Sequence, residues 1–325
     1  MIGGALRRVG NAAGLGCATL LGALSLAAAE PAAATSPDFG PDQHWIGYGH
    51  VLPEPATLTR TRLQALKDAG ATGIVTYASP PDRIQEVTIA ADLGLKVILG
   101  VYDPLNQTET ETAGGIWFNN QDTVVAINVG NEGLCAGRYS YEKLFETIRA
   151  FQRDTNAAIT TSEPWGEYQA AISGNRDALG DCQNKTINPG LLTLGDLVSA
   201  NLYSYYELEA QLSGGPCAPI ESTAINAAWT LGALYGLETM AARPVILHES
   251  GYPVDATGEV KSSPGERCTE QRQADYYCEL RALTSDFVYF PGFDDSRGAD
   301  YLGRFGGLFT EPGEPRLAAK QLGDC

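Results

Sequence analysis

Two apolar runs, each with a glutamate at or near its end, constrain most strongly which fold this chain can adopt. Residues 127–132 read Ile-Asn-Val-Gly-Asn-Glu, and residues 244–251 read Pro-Val-Ile-Leu-His-Glu-Ser-Gly. Short runs rich in β-branched residues are typical of buried strands. A carboxylate directly after a buried strand is costly unless it is paired or has a chemical task. The two runs therefore predict a parallel sheet that carries Glu132 and Glu249 at one rim.

The rest of the chain alternates between strand and helix patterns. Strands are predicted at residues 45–50, 73–77, 96–102, 123–129, 157–162, 197–202, 245–247 and 287–290. Helices are predicted at residues 57–69, 81–93, 141–153, 220–242, 269–284 and 315–322, with a poorly marked one ending near Asn119 and an irregular region at 163–195. Eight alternations predict a single (β/α)8 barrel with its active site at the C-terminal ends of the strands. A doubly wound open sheet alternates in the same way and remains an alternative.

The first residues have the pattern of an export signal. Arg7 and Arg8 precede an apolar stretch from Ala12 to Leu26, and three alanines follow at 27–29. This pattern predicts a signal peptide over residues 1–29, a Pro/Ala-rich linker over 30–41 and one catalytic domain over 42–325. We expect a secreted, periplasmic or cell-surface protein without a membrane span after cleavage, although an uncleaved anchor is an alternative.

The chain is strongly acidic, with a formal net charge of −17. Removal of residues 1–29 would delete two arginines and no acid, which makes the charge more negative still. Such a surface repels nucleic acid and anionic membranes, so we expect a neutral substrate and a monomer. Acidity that merely keeps the protein soluble explains the same charge. The three histidines are scattered and no CxxC motif is present, so we expect neither a metal nor a cofactor.

Paired carboxylates at one rim suit the cleavage of a glycosidic bond. One carboxyl group protonates the leaving oxygen, and the other attacks the sugar or activates water. Glu132 and Glu249 are therefore the candidate catalytic residues, and the candidate substrate is an oligosaccharide or polysaccharide.

Several short motifs occur in the order and spacing of a known family. They are Ile46-Gly47-Tyr48-Gly49 with Leu52-Pro53, Thr76-Tyr77, the run at 97–101, Val129-Gly130-Asn131-Glu132, Asn201-Leu202-Tyr203-Ser204-Tyr205-Tyr206, the run at 248–253, and Phe293-Asp294-Asp295 with the run at 306–309. On these motifs the chain resembles glycoside hydrolase family 17, the β-1,3-glucanase and glucan-transferase family, from Trp45 to about Leu317. The resemblance implies a (β/α)8 barrel and a retaining enzyme, with Glu132 as acid/base and Glu249 as nucleophile.

The same resemblance suggests residues that bind substrate. It implies that Asn131 holds the sugar 2-hydroxyl and that Tyr203 orients Glu249. Aromatic side chains after strands could stack on sugar faces or simply fill the rim; these are Trp165, Tyr168, Tyr205, Tyr252 and Phe293. Tyr48, Tyr77 and Asp294 are further candidates within the motifs. His248 is interpreted as structural.

Three positions depart from the family pattern. Val75 stands where the family usually has an arginine, Ser204 where it has a proline, and Asp295 where it has a glutamate. The missing cation should leave a nearby carboxyl with a higher pKa. The departures therefore leave the optimum pH and the placement of substrate open.

Six of the seven cysteines lie after the predicted signal peptide. An even number in an exported chain indicates disulfides, with fifteen possible connectivities. From their positions in successive loops we predict Cys135 with Cys182, Cys217 with Cys268, and Cys278 with Cys325.

Three functions remain open on the sequence alone. A retaining hydrolase of β-1,3-glucan is the leading one. A transglycosylase would use the same site, with a second sugar in place of water. A non-catalytic glycan-binding envelope protein would keep only the barrel, although the presence of both glutamates argues against it.

Overall fold

Eight parallel strands close into a barrel in this computed structural model. The structure describes residues 39–40, 42–49, 54–204, 223–241, 243–254, 268–297, 304–311 and 313–325. The strands are β1 (Trp45–Gly47), β2 (Gly73–Val75), β3 (Lys96–Val101), β4 (Val124–Asn131), β5 (Ala158–Pro164), β6 (Val198–Asn201), β7 (Val245–Ser250) and β8 (Phe287–Tyr289). They neighbour one another in sequence order, and β8 pairs with β1. The predicted barrel is confirmed, because a doubly wound sheet would leave its edges open.

Helices lie between successive strands along the chain, and one follows the last strand. They are α1 (Ala56–Asp68), α2 (Ile84–Leu93), α3 (Gln107–Asn119), α4 (Gly133–Ala136), α5 (Tyr141–Asp154), α6 (Trp165–Ser173), α7 (Thr223–Ala241), α8 (Glu270–Leu283) and α9 (Leu317–Gln321). Two predictions were wrong. The region after β5 holds α6 and the 3₁₀ turns Arg176–Leu179 and Pro189–Thr193 rather than being irregular, and β7 extends to Ser250 so that Glu249 lies inside it.

Two apolar layers hold the barrel together. The inner layer packs one residue from each strand, or in the case of β6 the residue just before it: Trp45, Val75, Ile98, Ala126, Ala158, Leu197, Ile246 and Val288. The outer layer packs the opposite faces of the strands against the helices, as α5 shows with its buried Leu144, Ile148 and Phe151. Strand residues alternate between the two layers because successive side chains of a strand point to opposite faces.

Most of the predicted leader and linker, residues 1–41, lies outside the described residues, so these assignments stay predictions. Phe39, which the sequence assigned to the linker, packs against Trp45 with ring centroids 5.3 Å apart. No helix in the described ranges is long and apolar enough to cross a membrane.

The structure contains two of the three predicted disulfides. Cys135 in α4 joins Cys182, and Cys278 in α8 joins the C-terminal Cys325. The Cα atoms are 4.6 and 5.0 Å apart, within the range for a disulfide. Cys217 lies outside the described residues, so its pairing with Cys268 stays a prediction.

The Cys278–Cys325 link should stabilise the fold appreciably. It spans 47 residues, and restricting a loop of that length in the unfolded chain is worth about 2 to 4 kcal/mol. The variant Cys278→Ser/Cys325→Ser should lose about that much free energy of unfolding in urea titrations. Peptide mapping without reduction should find the pair in the parent protein. An unchanged urea midpoint in the variant would contradict this account.

Candidate active site

Glu132 and Glu249 meet at the carboxyl-terminal rim through a residue that lies between them. Glu132 directly follows β4, and Glu249 lies near the end of β7. Asn201 ends β6 and is the register partner of Glu249 on the adjacent strand. The Nδ2 of Asn201 donates a hydrogen bond of 2.9 Å to Oε1 of Glu132. The barrel therefore brings both predicted carboxylates to one side chain.

The backbone at Glu132 has an unusual conformation. Its φ is 55°, and among the described residues it is the one non-glycine residue with a positive φ. This left-handed conformation costs roughly 1 to 2 kcal/mol. The N–H of Glu132 donates to the carbonyl of Ser162 on β5 at 2.8 Å, which ties the turn to the next strand. Such local strain is often found at functional sites.

A chain of hydrogen bonds orients Asn131. Its Oδ1 accepts from the hydroxyl of Ser162 at 2.6 Å and from Nδ2 of Asn201 at 3.1 Å. Ser162 in turn accepts from Nδ2 of Asn128 at 2.9 Å. Because Oδ1 takes both donors, the NH₂ of Asn131 is the part of the side chain suited to meet a sugar hydroxyl.

Two tyrosines approach Glu249. The hydroxyl of Tyr203 donates to its Oε2. The pKa of Tyr203 and that of Tyr77 are raised well above the usual value by burial and next by the charge of Glu249. Both tyrosines therefore keep their protons, which suits the orienting role implied for Tyr203.

His248 precedes Glu249 and is completely buried. Burial lowers its pKa to about 3, so the ring is neutral. It packs edge-on against Tyr77, with ring centroids 5.9 Å apart. These contacts support a structural role.

The other predicted substrate residues are covered by protein. Tyr48, Trp165, Tyr252, Phe293 and Asp294 each expose no more than 7% of their surface. Phe293 stacks on Phe309, and Asp294 forms a buried ion pair with Arg316, with Nη2 and Oδ2 2.7 Å apart. These contacts account for their burial without a sugar, so their contact with substrate stays a prediction. Tyr205 lies outside the described residues.

The departures from the family pattern have distinct surroundings. Val75 lies in the apolar inner layer with Ile98 and Val288, so an arginine there would enter an apolar environment. Asp295 pairs with Arg297 at 2.9 Å, and Ser204 is buried.

Glu163 was not identified from the sequence, although it is the next-to-last residue of β5, as Glu249 is of β7. Its Oε1 accepts from the N–H of Leu134 at 3.2 Å and from the hydroxyl of Tyr139 at 3.0 Å. The signal was present, since the residues at 158–163 are another buried strand that reaches a glutamate. Asn201 was also not predicted to be a site residue, although it begins one of the quoted motifs.

Glu163 should make the stability of the fold depend on pH. Burial raises its pKa from 4.5 to about 8. Between those values the folded protein keeps a proton that the unfolded chain has lost, so this group favours unfolding more as pH rises. The side chain of Glu163→Gln cannot ionise. The free energy of unfolding of this variant should therefore rise relative to that of the parent by roughly a few kcal/mol between pH 4.5 and 8, and the difference should then level off.

Glu167 provides a control for that experiment. Burial raises its pKa to about 7, so the advantage of Glu167→Gln should level off about one pH unit lower. Urea unfolding of the parent and the two variants at several pH values measures the pH range over which each difference in unfolding free energy grows. A pH-independent gap between Glu163→Gln and the parent would contradict the buried, protonated state of Glu163.

Cys135, Glu167 and Cys182 are close enough in space to resemble a metal site. Both sulfurs are joined in a disulfide, however, and are therefore not available as thiolate ligands.

Comparisons with known proteins point to glucan-active enzymes. No family model matches the chain. It is 23% identical over 284 residues to a glucan 1,3-beta-glucosidase of Arthroderma benhamiae. The match covers 82% of this chain and 80% of that protein. These findings agree with the resemblance that the motifs carry.

Solved structures share the barrel. A glycoside hydrolase family 17 β-1,3-glucanosyltransferase from Rhizomucor miehei superposes with a TM-score of 0.60 at 14% identity, over 85% of this chain and 96% of that one. A β-glucuronidase from Ruminococcus gnavus in complex with D-glucuronic acid gives a TM-score of 0.61 at 16% identity, over 87% of this chain and 49% of that one. Because enzymes with different sugars match equally well, these likenesses show the fold and do not select the substrate.

Proposed function

We propose that this protein is a β-glucan-active glycoside hydrolase of family 17 that works through a covalent glycosyl-enzyme on Glu249. Its motifs, its barrel and its curated relative support the family assignment. One observation carries the proposal. Asn201 hydrogen-bonds Glu132 and is the register partner of Glu249, so both carboxylates belong to one site at the barrel rim. A pair of carboxylates in this arrangement is the equipment for glycoside cleavage.

The first chemical step breaks the glycosidic bond. An oxygen of Glu249 bonds to the anomeric carbon while the bond from that carbon to the leaving oxygen breaks, and Glu132 gives its proton to that oxygen. Tyr203 holds the Glu249 carboxylate in place through its hydrogen bond to Oε2. For direct attack the two carboxyl groups should lie roughly 5 to 5.5 Å apart.

The second step releases the sugar. Glu132, now ionised, takes a proton from water, whose oxygen bonds to the anomeric carbon and frees Glu249. Two inversions retain the β configuration. The amide of Asn131 is placed to hold the sugar 2-hydroxyl, a contact that strengthens in the transition state.

The substrate we propose is β-1,3-glucan. The curated relative carries that linkage in its name, and a neutral polymer suits a chain with a net charge of −17. The two disulfides agree with an oxidising compartment. Together with the predicted signal peptide they support secretion or display at the cell surface. The monomeric state and the lack of nucleic-acid binding stay predictions.

Transfer to a second sugar is the other candidate outcome, because the Rhizomucor miehei structure is a glucanosyltransferase. It uses the same covalent intermediate and differs in what attacks it. Incubation with laminari-oligosaccharides of one length separates the two activities. Shorter products alone mean hydrolysis, whereas products longer than the substrate mean transfer.

A screen of β-1,3-, β-1,4- and β-1,6-glucans tests the proposal as a whole. We expect new reducing ends or lengthened chains with the β-1,3 polymer. Binding without turnover of any of the three would contradict the proposal and favour a glycan-binding protein.

A further inference from the structure

The short helix α4 begins at Glu132 but is not capped by it. Glu132 occupies the N-cap position, where a side chain usually accepts from the first free N–H groups of the helix. Its carboxylate makes no capping hydrogen bond. Instead its Oε1 accepts from Asn201, across the rim. The catalytic carboxylate is therefore turned away from the helix that it precedes.

Two other side chains take over the capping. The hydroxyl of Tyr139 accepts from the N–H of Gly133 at 3.1 Å, and Oε1 of Glu163 accepts from the N–H of Leu134 at 3.2 Å. Tyr139 also donates to Oε1 of Glu163 at 3.0 Å, which joins the two caps. Both side chains are buried.

The Tyr139 ring also explains the glycines around Glu132. A Cβ at Gly130 or at Gly133 would overlap the Tyr139 side chain. The turn at residues 130–134 is thus wrapped around Tyr139, which in turn is anchored on Glu163.

We propose that Glu163 is a positioning residue for catalysis: by capping α4 in place of Glu132, it leaves the Glu132 carboxylate facing the substrate. This inference rests on the proposed role of Glu132 as acid/base. Without Glu163 the N–H of Leu134 would lose its buried partner. Glu132 already occupies the N-cap position of α4, so its carboxylate could turn to replace that partner. A Glu132 that caps its own helix cannot reach the leaving oxygen.

The protonation state of Glu163 suits this role. The pKa of Glu163 is raised to about 8, mainly by burial and to a lesser extent by the charges of Glu167 and Glu132, although the hydrogen bonds from Leu134 and Tyr139 lower it. The side chain is therefore a neutral acid at neutral pH. Its Oε2 has no hydrogen-bond partner among the described residues. Glutamine can reproduce the accepting oxygen without a charge, whereas leucine cannot.

The test compares aryl β-laminaritriosides with a good and a poor leaving group, 2,4-dinitrophenyl and phenyl. Their kcat/KM reports the first chemical step, which needs the acid only when the leaving group is poor. Glu163→Leu should lower kcat/KM for the phenyl substrate about 100-fold and for the dinitrophenyl substrate less than about 5-fold. Glu163→Gln should restore most of the loss on the phenyl substrate.

Glu167→Leu is the matched control, because Glu167 is another buried acid that makes no hydrogen bond to residues 133–139 in the structure. It should lower kcat/KM for both substrates by a similar, small factor. Tyr139→Phe removes only the hydroxyl that joins the caps and should show the same leaving-group dependence as Glu163→Leu. It keeps the test decisive if Glu163→Leu does not fold.

Glu132→Gln separates the inference from the proposed function. If Glu132→Gln shows no leaving-group dependence, the assignment of Glu132 as acid is wrong. If Glu132→Gln shows this leaving-group dependence but Glu163→Leu and Tyr139→Phe lower kcat/KM equally for both substrates, Glu163 only stabilises the fold and the inference is overturned.

Discussion

Glu249→Ala should abolish turnover of β-1,3-glucan, with kcat reduced by about 10⁵-fold or more. The reason is that alanine has no oxygen to bond to the anomeric carbon, so the covalent intermediate cannot form. Glu249 is 6% exposed and lies within β7, where the smaller side chain leaves the strand pairing unchanged. Reducing-sugar release from laminarin measures the loss.

The neighbouring Ser250 is a suitable control for this variant. Its hydroxyl contacts Tyr276 at 2.7 Å behind the strand, so Ser250→Ala changes the same strand without touching the carboxylates. It should keep activity within about 10-fold of the parent, since one buried hydrogen bond contributes about 1 kcal/mol. Glu249→Ala that retained more than a hundredth of the parental rate would contradict the nucleophile assignment.

Glu132→Ala should have an effect that depends on the substrate. On laminarin, kcat should fall about 10³-fold, because both the protonation of the leaving oxygen and the activation of water are lost. With a dinitrophenyl glycoside the first step needs no acid, so a burst of phenolate should appear before the glycosyl-enzyme accumulates. Stopped-flow absorbance resolves the burst from the slow second step.

Azide provides the control for the Glu132 variant. A small anion can enter the space that alanine opens and attack the intermediate on the β face. Turnover of Glu132→Ala should therefore rise with azide and give a β-glycosyl azide. If azide instead rescued Glu249→Ala with a β product, the two roles would be reversed.

The sequence predicted the barrel and the two central carboxylates because each depends on a local pattern. A strand shows itself by β-branched runs, and Glu132 and Glu249 directly mark strand ends. The helix at residues 165–173 was not predicted from its local pattern. Helix α6 buries Glu167 together with Trp165 and Tyr168, so its apolar spacing is broken by a charged residue and the pattern looks irregular.

The partners of the carboxylates were not predictable from local pattern. Asn201 and Glu132 are 69 residues apart and meet only because the barrel places their strands near each other. Tyr139 and Glu163 depend in the same way on how the turn after β4 packs against β5. The packing of Phe293 against Phe309 likewise depends on a segment beyond β8, and the position of an aromatic residue after a strand does not reveal such a contact.

Labelling with a slow substrate tests the central claim most directly. A 2-deoxy-2-fluoro-β-laminaribiosyl fluoride carries a good leaving group, while its fluorine slows both chemical steps, so the glycosyl-enzyme should accumulate on the parent protein. Mass spectrometry of the digested protein should find one added 2-fluoroglycosyl group, on the peptide that contains Glu249. A label on Glu132, or no label together with an α-configured first product by NMR, would contradict the account.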